Sequence, residues 1–576
     1  MPSTDARSYF RSLALPASEA HRPQLVIAES DATRTRTIAS FWGAAAAHAA
    51  VFQARGVGRG DVALIFARNT AAAIEAFFGA ELLGAIPSFM PPPSPRQPLE
   101  IYRHTHQQLF ARIRPALIVC DRLTAVDLEN IFEVALLTLE DDIAPVDPAA
   151  IALPPAEATA LLQHSSGTTG LKKGVELDYG QIANQIEDYA TALALPEGTS
   201  VVSWLPLYHD MGLIAATILP VVTGRKLVLM DTFDWLADPI QILRLAAAEP
   251  SAVLWLPNFA FNHLANHARR LRKPIDLSGV HAVINCSEPA KPASMARFIE
   301  AFAPHGLRPE AVQVCYALAE NVFAATQTRP GAPLKTVTVE RKAFEAGRIA
   351  LLAEGRVAAT SAEPDPEAMT FSSCGAAIDG TRLSLRHADG TPAGADDVAS
   401  VWLKGTSLFS GYYLQPELTA SRMRDGWFNT NDLGFVSGGE LYICGRIDDL
   451  IIVNGKNLLA HDIEASCNAV EGIKPGRCTA FGTDDPRTGS QSLVILAEAM
   501  LESLRASRRR HPSGGARRVR HRASGHHGPA DRHAGEDNER EDQPAREQEA
   551  LHGRRAEILA LSGAQFRPWI GIRFWV

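Results

Sequence analysis

The chain reads as an α/β protein: a large N-terminal domain of two mainly parallel α/β sheets plus a small β-barrel-like subdomain, then a small, incomplete C-terminal α+β domain. Three observations predict this. Short apolar runs alternate with helix-spaced segments along the first 320 or so residues, the pattern of parallel strands covered by helices. Between Thr381 and Tyr442 the runs become short, alternating and bounded by glycine-rich turns, as antiparallel strands require. The character of the chain then breaks at GRIDDL, residues 445–450.

The elements follow in order. VALIF, Val62 to Phe66, is a strand; NTAAAIEAFFGAELLGA has helical spacing and ends near Gly84, before the apolar run IPSFM, which completes a βαβ unit. The alternation returns in ALIVC, in KLVLM with a helix near Ile240, in SAVLWL followed by FAFNHLANHARRL, and in AVINC and AVQVC. Between Thr326 and Phe371 the pattern loosens into Pro, Gly and mixed charge, read as an insertion or loop-rich region. TRLSLRH, SVWLKG and ELYICG supply the antiparallel strands. The expected division is 1–444 as the large domain, 445–450 as a hinge, 451–506 as a partial small domain, and 507–576 as an aberrant, disordered tail.

Composition excludes several roles. With 576 residues, 46% hydrophobic and 21% charged, the chain can bury large cores and has room for two to four domains by the rough prior on length. A formal charge of −8 leaves no excess of cations to displace phosphate counterions, so no nucleic acid is expected as a partner. Seven cysteines without a CxxC pair read as reduced thiols and not as a disulfide or zinc framework. No apolar leader and no run of the roughly 18 residues that a membrane span needs is present, so a cytoplasmic location without a membrane span is expected.

The segment with most chemical content is HSSGTTGLKKGV, residues 164–175. Glycines let backbone N–H groups converge on an anion, while Ser165, Ser166, Thr168 and Thr169 donate and one of the two lysines supplies a point charge. The segment does not match the GxxxxGK[ST] loop. A polar surface loop is the alternative for this segment alone.

Taken with SWLPLYHDMGL, NCSEP, CYALAE, GWFNTNDLGF and GRIDDLIIVNGKN, in that order, it resembles the adenylate-forming (AMP-binding) superfamily from about Thr37 to Met500. The wording SWLPLYHDMGLI, the long stretch between CYALAE and SSCG, and GKNLLAHDIE are most similar to the fatty acyl-AMP ligases. That resemblance implies activation of a fatty acid by ATP and Mg²⁺ to an acyl-adenylate with release of pyrophosphate, then transfer to an acyl carrier protein or polyketide synthase.

The resemblance also implies roles. Ser165, Ser166, Gly167, Thr168, Thr169, Gly170 and Lys173 hold the β and γ phosphates; Lys172 stands where relatives carry proline. Glu320 binds Mg²⁺, a hard cation that suits a carboxylate, beside Tyr316, and Ala317 replaces a glycine. Asp432 accepts from the ribose hydroxyls, and Arg446 supports ribose and phosphate. Ser287 and Glu288 lie on the adenine side. His209 borders the acyl carboxylate or its entry channel. Trp255, Asn258 and Phe259 belong to the acyl pocket, with core packing as the alternative. Asp448 is the hinge. Lys173, His209, Glu320 and Arg446 are thus the candidate catalytic residues.

In this superfamily the small domain ends in a lysine segment like PKTTSGK, which the written chain lacks. Rereading EDNEREDQP, residues 536–544, from the second base of the Glu536 codon permits KTTSGKIS. The reading frame is therefore expected to slip near Ser507, with impaired activity; a disordered Arg- and His-rich tail is the alternative. Two competing functions are a fatty acyl-CoA synthetase, with CoA as acceptor, and a non-catalytic acyl-adenylate- or ATP-binding protein.

Overall fold

The computed structural model describes residues 6–28, 33–93, 99–129, 136–139, 143–165, 173–271, 274–359, 365, 367–453, 456–468, 473–485, 490–499 and 573–575. The chain divides into two compact units, Met1–Cys444 and Gly445–Val576.

In the first unit, local signals set the helix ends. Thr37 and Ser40 form a reciprocal capping box at the start of Ile38–Ala54, and Asp178 and Gln181 do the same for Tyr179–Ala192, each satisfying backbone donors the first turn leaves open. Thr70 caps Ala71–Leu83, which Gly84 ends in a left-handed conformation at φ 76°, the stop that glycine adopts without steric cost. The strands VALIF, LVLM and AVLWL are apolar throughout and buried on both faces, as interior parallel strands must be.

A nine-stranded sheet is parallel through Pro23–Ala28, Leu227–Met230, Ser200–Ser203, Ala252–Leu256, Val280–Asn285 and Val312–Ala317, with antiparallel strands at its margins. A second, four-stranded sheet of Ile86–Phe89, Val62–Phe66, Leu117–Cys120 and Leu136–Thr138 is wholly parallel. Thr381–Arg386, Ala399–Gly405, Met423–Arg424, Trp427–Ser437 and Glu440–Arg446 form an antiparallel five-stranded sheet. A three-stranded sheet joins Thr159–Ser165, Lys173–Asp178 and Gly411–Tyr412. Among the described residues no helix is long and apolar enough to cross a membrane.

The stretch from Thr326 to Phe371 is not a loop-rich insertion. Lys335–Glu340 pairs antiparallel with Leu351–Arg356 on one side and Ala368–Ser372 on the other. The six residues of Leu351–Arg356 are all exposed, so the strand lacks the inside–outside alternation by which a half-buried strand is read; its backbone ladder holds it instead.

In the second unit, Leu450–Val453 pairs with Lys456–Leu459, and the helix Ala460–Asn468 precedes the hairpin Ile473–Asp485 and Ser490–Ala499. Ile451, Ala460, Cys467, Ala480, Leu493 and Ile495 form its core. The reread segment 536–544 lies outside the described residues. Of the tail after 507 only Arg573–Trp575 is described, a strand parallel to Ser490–Ala499.

Candidate functional site

The candidate residues come from three sheets: Tyr316, Ser287 and Glu288 at the carboxyl ends of strands in the nine-stranded sheet, the edge where open parallel sheets bind ligands, Asp432 from the five-stranded sheet and Lys173 from the three-stranded one. The strand Val312–Ala317 delivers Tyr316, which is 8% exposed, and its phenol donates to Oδ2 of Asp432 at 2.5 Å. Asp432 is itself 8% exposed. It follows Asn431, at φ 68°, and its N–H donates to the Thr430 hydroxyl at 3.1 Å. A nearly buried carboxylate held in this way presents acceptor oxygens of fixed direction, suited to a vicinal diol.

Just beyond Tyr316, Glu320 sits in a single 3₁₀ turn, Ala319–Asn321, followed by Val322 at φ 59° and ψ −56°. A β-branched residue with positive φ costs on the order of 1–3 kcal/mol. The surrounding bonds enforce it: the Phe409 N–H donates to the Glu320 carbonyl at 2.8 Å, and the Phe323 N–H donates to the Gln185 side chain at 3.2 Å.

Lys173 opens the strand that returns from the hydroxyl-rich loop, opposite Ser165. Its ammonium lies 5.6 Å from the ring centre of Tyr412, within cation–π reach. The Tyr412 phenol donates to Oε1 of Glu320 at 2.7 Å. Burial and the adjacent Glu320 carboxylate push the Tyr412 phenol well above its usual range, so it stays a donor. Lys173 and Glu320 are thereby brought together through a residue that the sequence reading did not single out.

The partner strand, Thr159–Ser165, is fastened on two further sides. Gln163 donates to the Tyr208 carbonyl at 3.0 Å, and His164 Nδ1 meets the buried Ser88 hydroxyl at 2.7 Å. Ser166, Gly167, Thr168, Thr169 and Gly170 lie outside the described residues.

His209 is exposed, one residue before Asp210, which caps the π-type helix Met211–Ile218. A Cβ on Gly212 would stand 2.2 Å from the Pro206 carbonyl oxygen, so glycine is required for this close turn. Ser287 and Glu288 are exposed at the end of Val280–Asn285. Ser287, at φ 71°, places its hydroxyl 3.8 Å from the Met211 sulfur. Glu288 Oε2 accepts the Phe259 N–H at 2.9 Å.

The three acyl-pocket candidates separate. Phe259 is 48% exposed and stands edge-on to Trp204 and Trp235, whose rings stack 3.7 Å apart at 3°. Trp255 is core, 1% exposed, and donates to the Tyr189 hydroxyl at 2.8 Å. Asn258 is committed to backbone support, its carbonyl accepting the Lys291 N–H and the Asn285 amide, each at 3.1 Å. Arg446 ends Glu440–Arg446, and Asp448 lies in the 3₁₀ turn Ile447–Asp449; both are exposed. A separate cavity of about 220 Å³ is lined by Arg34, Arg36, Arg68, Asn69, Asp231 and Asp234 among others, and contains none of the candidate residues.

The sequence and the fold match those of known proteins. The description "AMP-binding enzyme" fits residues 16–413. The chain belongs to the AMP-binding enzyme family. It is 30% identical over 500 residues to the long-chain-fatty-acid–AMP ligase FadD32 of Mycolicibacterium smegmatis, covering 76% of each chain. To FadD26 of Mycobacterium marinum, another long-chain-fatty-acid–AMP ligase, it is 34% identical over 373 residues, 60% of each. The chain spans 58% of the length of the first curated relatives it matches. A fatty acyl-adenylate ligase from L. pneumophila, solved with acyl adenylate and pyrophosphate, shares the fold at a TM-score of 0.68 and 25% identity, over 88% of this chain and 89% of that one.

The donors fit the metal that this family implies. Among the described residues no group of three or more His, Cys, Asp or Glu forms a protein-built cage. The lone Glu320 carboxylate instead suits Mg²⁺, which is commonly held by one or two carboxylates together with substrate phosphates and water.

Proposed function

We propose that the protein activates a fatty acid with ATP. The fatty-acid carboxylate oxygen attacks the α-phosphorus, a new oxygen–phosphorus bond forms, the bond to the β-phosphate bridging oxygen breaks, and acyl-adenylate and pyrophosphate result. The observation that carries this reading is the convergence of Lys173 and Glu320 on Tyr412, with Glu320 in the turn just after Tyr316, whose phenol donates to Asp432. The family match and the FadD32 and FadD26 relatives support the same reading.

Asp432 takes the ribose hydroxyls, oriented by the Tyr316 phenol. Ser287 and Glu288 border the base, with Arg446 on the ribose and phosphate. Lys173 and the loop Ser165–Gly170 hold the phosphates, placing positive charge where negative charge builds up. Glu320 would hold Mg²⁺, which when bound neutralises phosphate oxygens. His209 borders the carboxylate. Phe259, with the Trp204–Trp235 stack behind it, is the acyl wall; Trp255 and Asn258 support that wall from the core. Asp448 is the swivel between the two half-reactions.

The acceptor is an acyl carrier protein or a polyketide synthase, and CoA is the alternative. Seven thiols, six of them buried, suit the reducing cytoplasm.

Activity of the chain as written is impaired by its ending. The rereading of residues 536–544 restores a terminal lysine segment, and removal of one preorganised donor typically costs about 10²–10³ in rate. Fatty-acid-dependent exchange of labelled pyrophosphate into ATP tests both statements. A frame-restored chain should exchange at least about 100-fold faster than the written one. Absence of fatty-acid-dependent exchange in the restored chain contradicts the proposed reaction. An uninterrupted gene across codons 500–512, with no homologous ending in a neighbouring frame, contradicts the slip.

A further inference from the structure

Tyr412 touches two groups that the proposed reaction uses, and its backbone is fastened to the elements carrying both. The pair Gly411–Tyr412 lies antiparallel beside the Lys173–Asp178 strand, opposite Glu176 and Val175. Its flanks are closed by the Tyr413 N–H donating to the Gly174 carbonyl at 2.8 Å and the Ser410 N–H donating to the Glu176 carbonyl at 3.1 Å. On the other side the Phe409 N–H donates to the Glu320 carbonyl at 2.8 Å. The Tyr412 N–H donates to the Thr419 hydroxyl at 2.8 Å, and the Phe409 and Phe428 rings pack edge-on in the same cluster. The Tyr412 ring, 5% exposed, is therefore immobilised between the lysine and the carboxylate.

We propose that Tyr412 is a positioning residue for the activation step: its hydroxyl holds Oε1 of Glu320, fixing the carboxylate that would hold the metal, while its ring face supports the Lys173 ammonium. This rests on the assignment of Lys173 to the phosphates and Glu320 to Mg²⁺. A side chain that only filled core space would need the ring and not the hydroxyl. The hydroxyl instead meets a carboxylate that would otherwise choose among rotamers, and partners that orient a metal-binding carboxylate commonly set metal affinity by about 10–100-fold. The ring contributes separately, since a partly exposed cation–π contact corresponds to about a two- to fivefold change in binding.

The two halves separate experimentally. ATP binding is measured by calorimetry with and without Mg²⁺ on the full chain, alongside thermal unfolding. Tyr412→Phe should raise the Mg²⁺ concentration needed for half-maximal enhancement of ATP binding by about 10–100-fold and leave Mg²⁺-free ATP binding within a factor of two. Tyr412→Leu should also weaken Mg²⁺-free binding, by about two- to fivefold. Glu320→Gln provides a check that does not depend on how well Tyr412→Phe folds: adding Tyr412→Phe to it should not change the Mg²⁺ response further. An unchanged Mg²⁺ response in Tyr412→Phe, or full additivity in the double variant, overturns the positioning role while leaving the proposed function standing. A parent chain that binds no ATP with or without Mg²⁺ overturns both.

Discussion

Asp432 is a carboxylate almost removed from water that accepts the Tyr316 phenol at 2.5 Å, while its backbone N–H donates to the Thr430 hydroxyl at 3.1 Å. Deleting the phenol leaves a buried acceptor with one donor fewer, a loss that costs about 1–3 kcal/mol. Tyr316→Phe should therefore lower the thermal midpoint measurably and also raise the KM for ATP, whereas Phe259→Ala, at an exposed ring, should alter fatty-acid preference with little change in midpoint. Calorimetric unfolding together with exchange kinetics at varied ATP and fatty acid checks both. Asp432, Glu320 and Lys173 could be singled out as candidates in the sequence because each sits in a short motif whose residues are neighbours in the chain. Tyr412 was not, because its importance comes from a ring lying over a lysine on another strand and a hydroxyl reaching another loop. Trp255 shows the converse: an apolar run such as SAVLWL reads the same whether it lines a pocket or fills a core, and only the bond to Tyr189 settles where this indole points.

At the scale of elements, the crossing of Ile38–Ala54 over Ala71–Leu83 depends on Gly79. A Cβ there would meet the Ala45 carbonyl oxygen at 2.5 Å and the His48 Cβ at 2.8 Å. Backbone cannot swing aside as a side-chain tip can, so Gly79→Ala should destabilise the fold by about 1–3 kcal/mol, read as a shift in denaturant midpoint at constant slope. In the same crossing His48 is 3% exposed, and burial lowers its pKa from 6.5 to about 4. The folded state therefore binds fewer protons than the unfolded one. Its contribution to stability is complete above about pH 6.5 and is lost as the pH falls toward 4. Unfolding midpoints across that window should fall less steeply for His48→Leu than for the parent. The strands and capped helices of this region were legible from apolar runs and from Thr70 and Gly84. The sheet built on Lys335–Glu340 was not, because a strand exposed along its whole length carries no periodic burial pattern.

At the scale of the molecule, the chain has a large unit ending at Cys444 and a second beginning at Gly445, and the AMP-binding match lies within the first of them. Under the proposed function, the residues that would hold the nucleotide and its metal, Lys173, Glu320 and Asp432, all belong to the first unit. On this account binding and turnover come apart: the written chain should bind a finished acyl-adenylate well and make it slowly. A non-hydrolysable fatty-acyl sulfamate of adenosine isolates the first property from the second. The decisive measurement is its calorimetric titration into the full chain and into Asp432→Ala. The account predicts saturable one-site binding that weakens by about 10–100-fold in the variant, the loss expected for hydrogen bonds to a charged group; no binding to the parent, or equal binding to a folded Asp432→Ala, would contradict it.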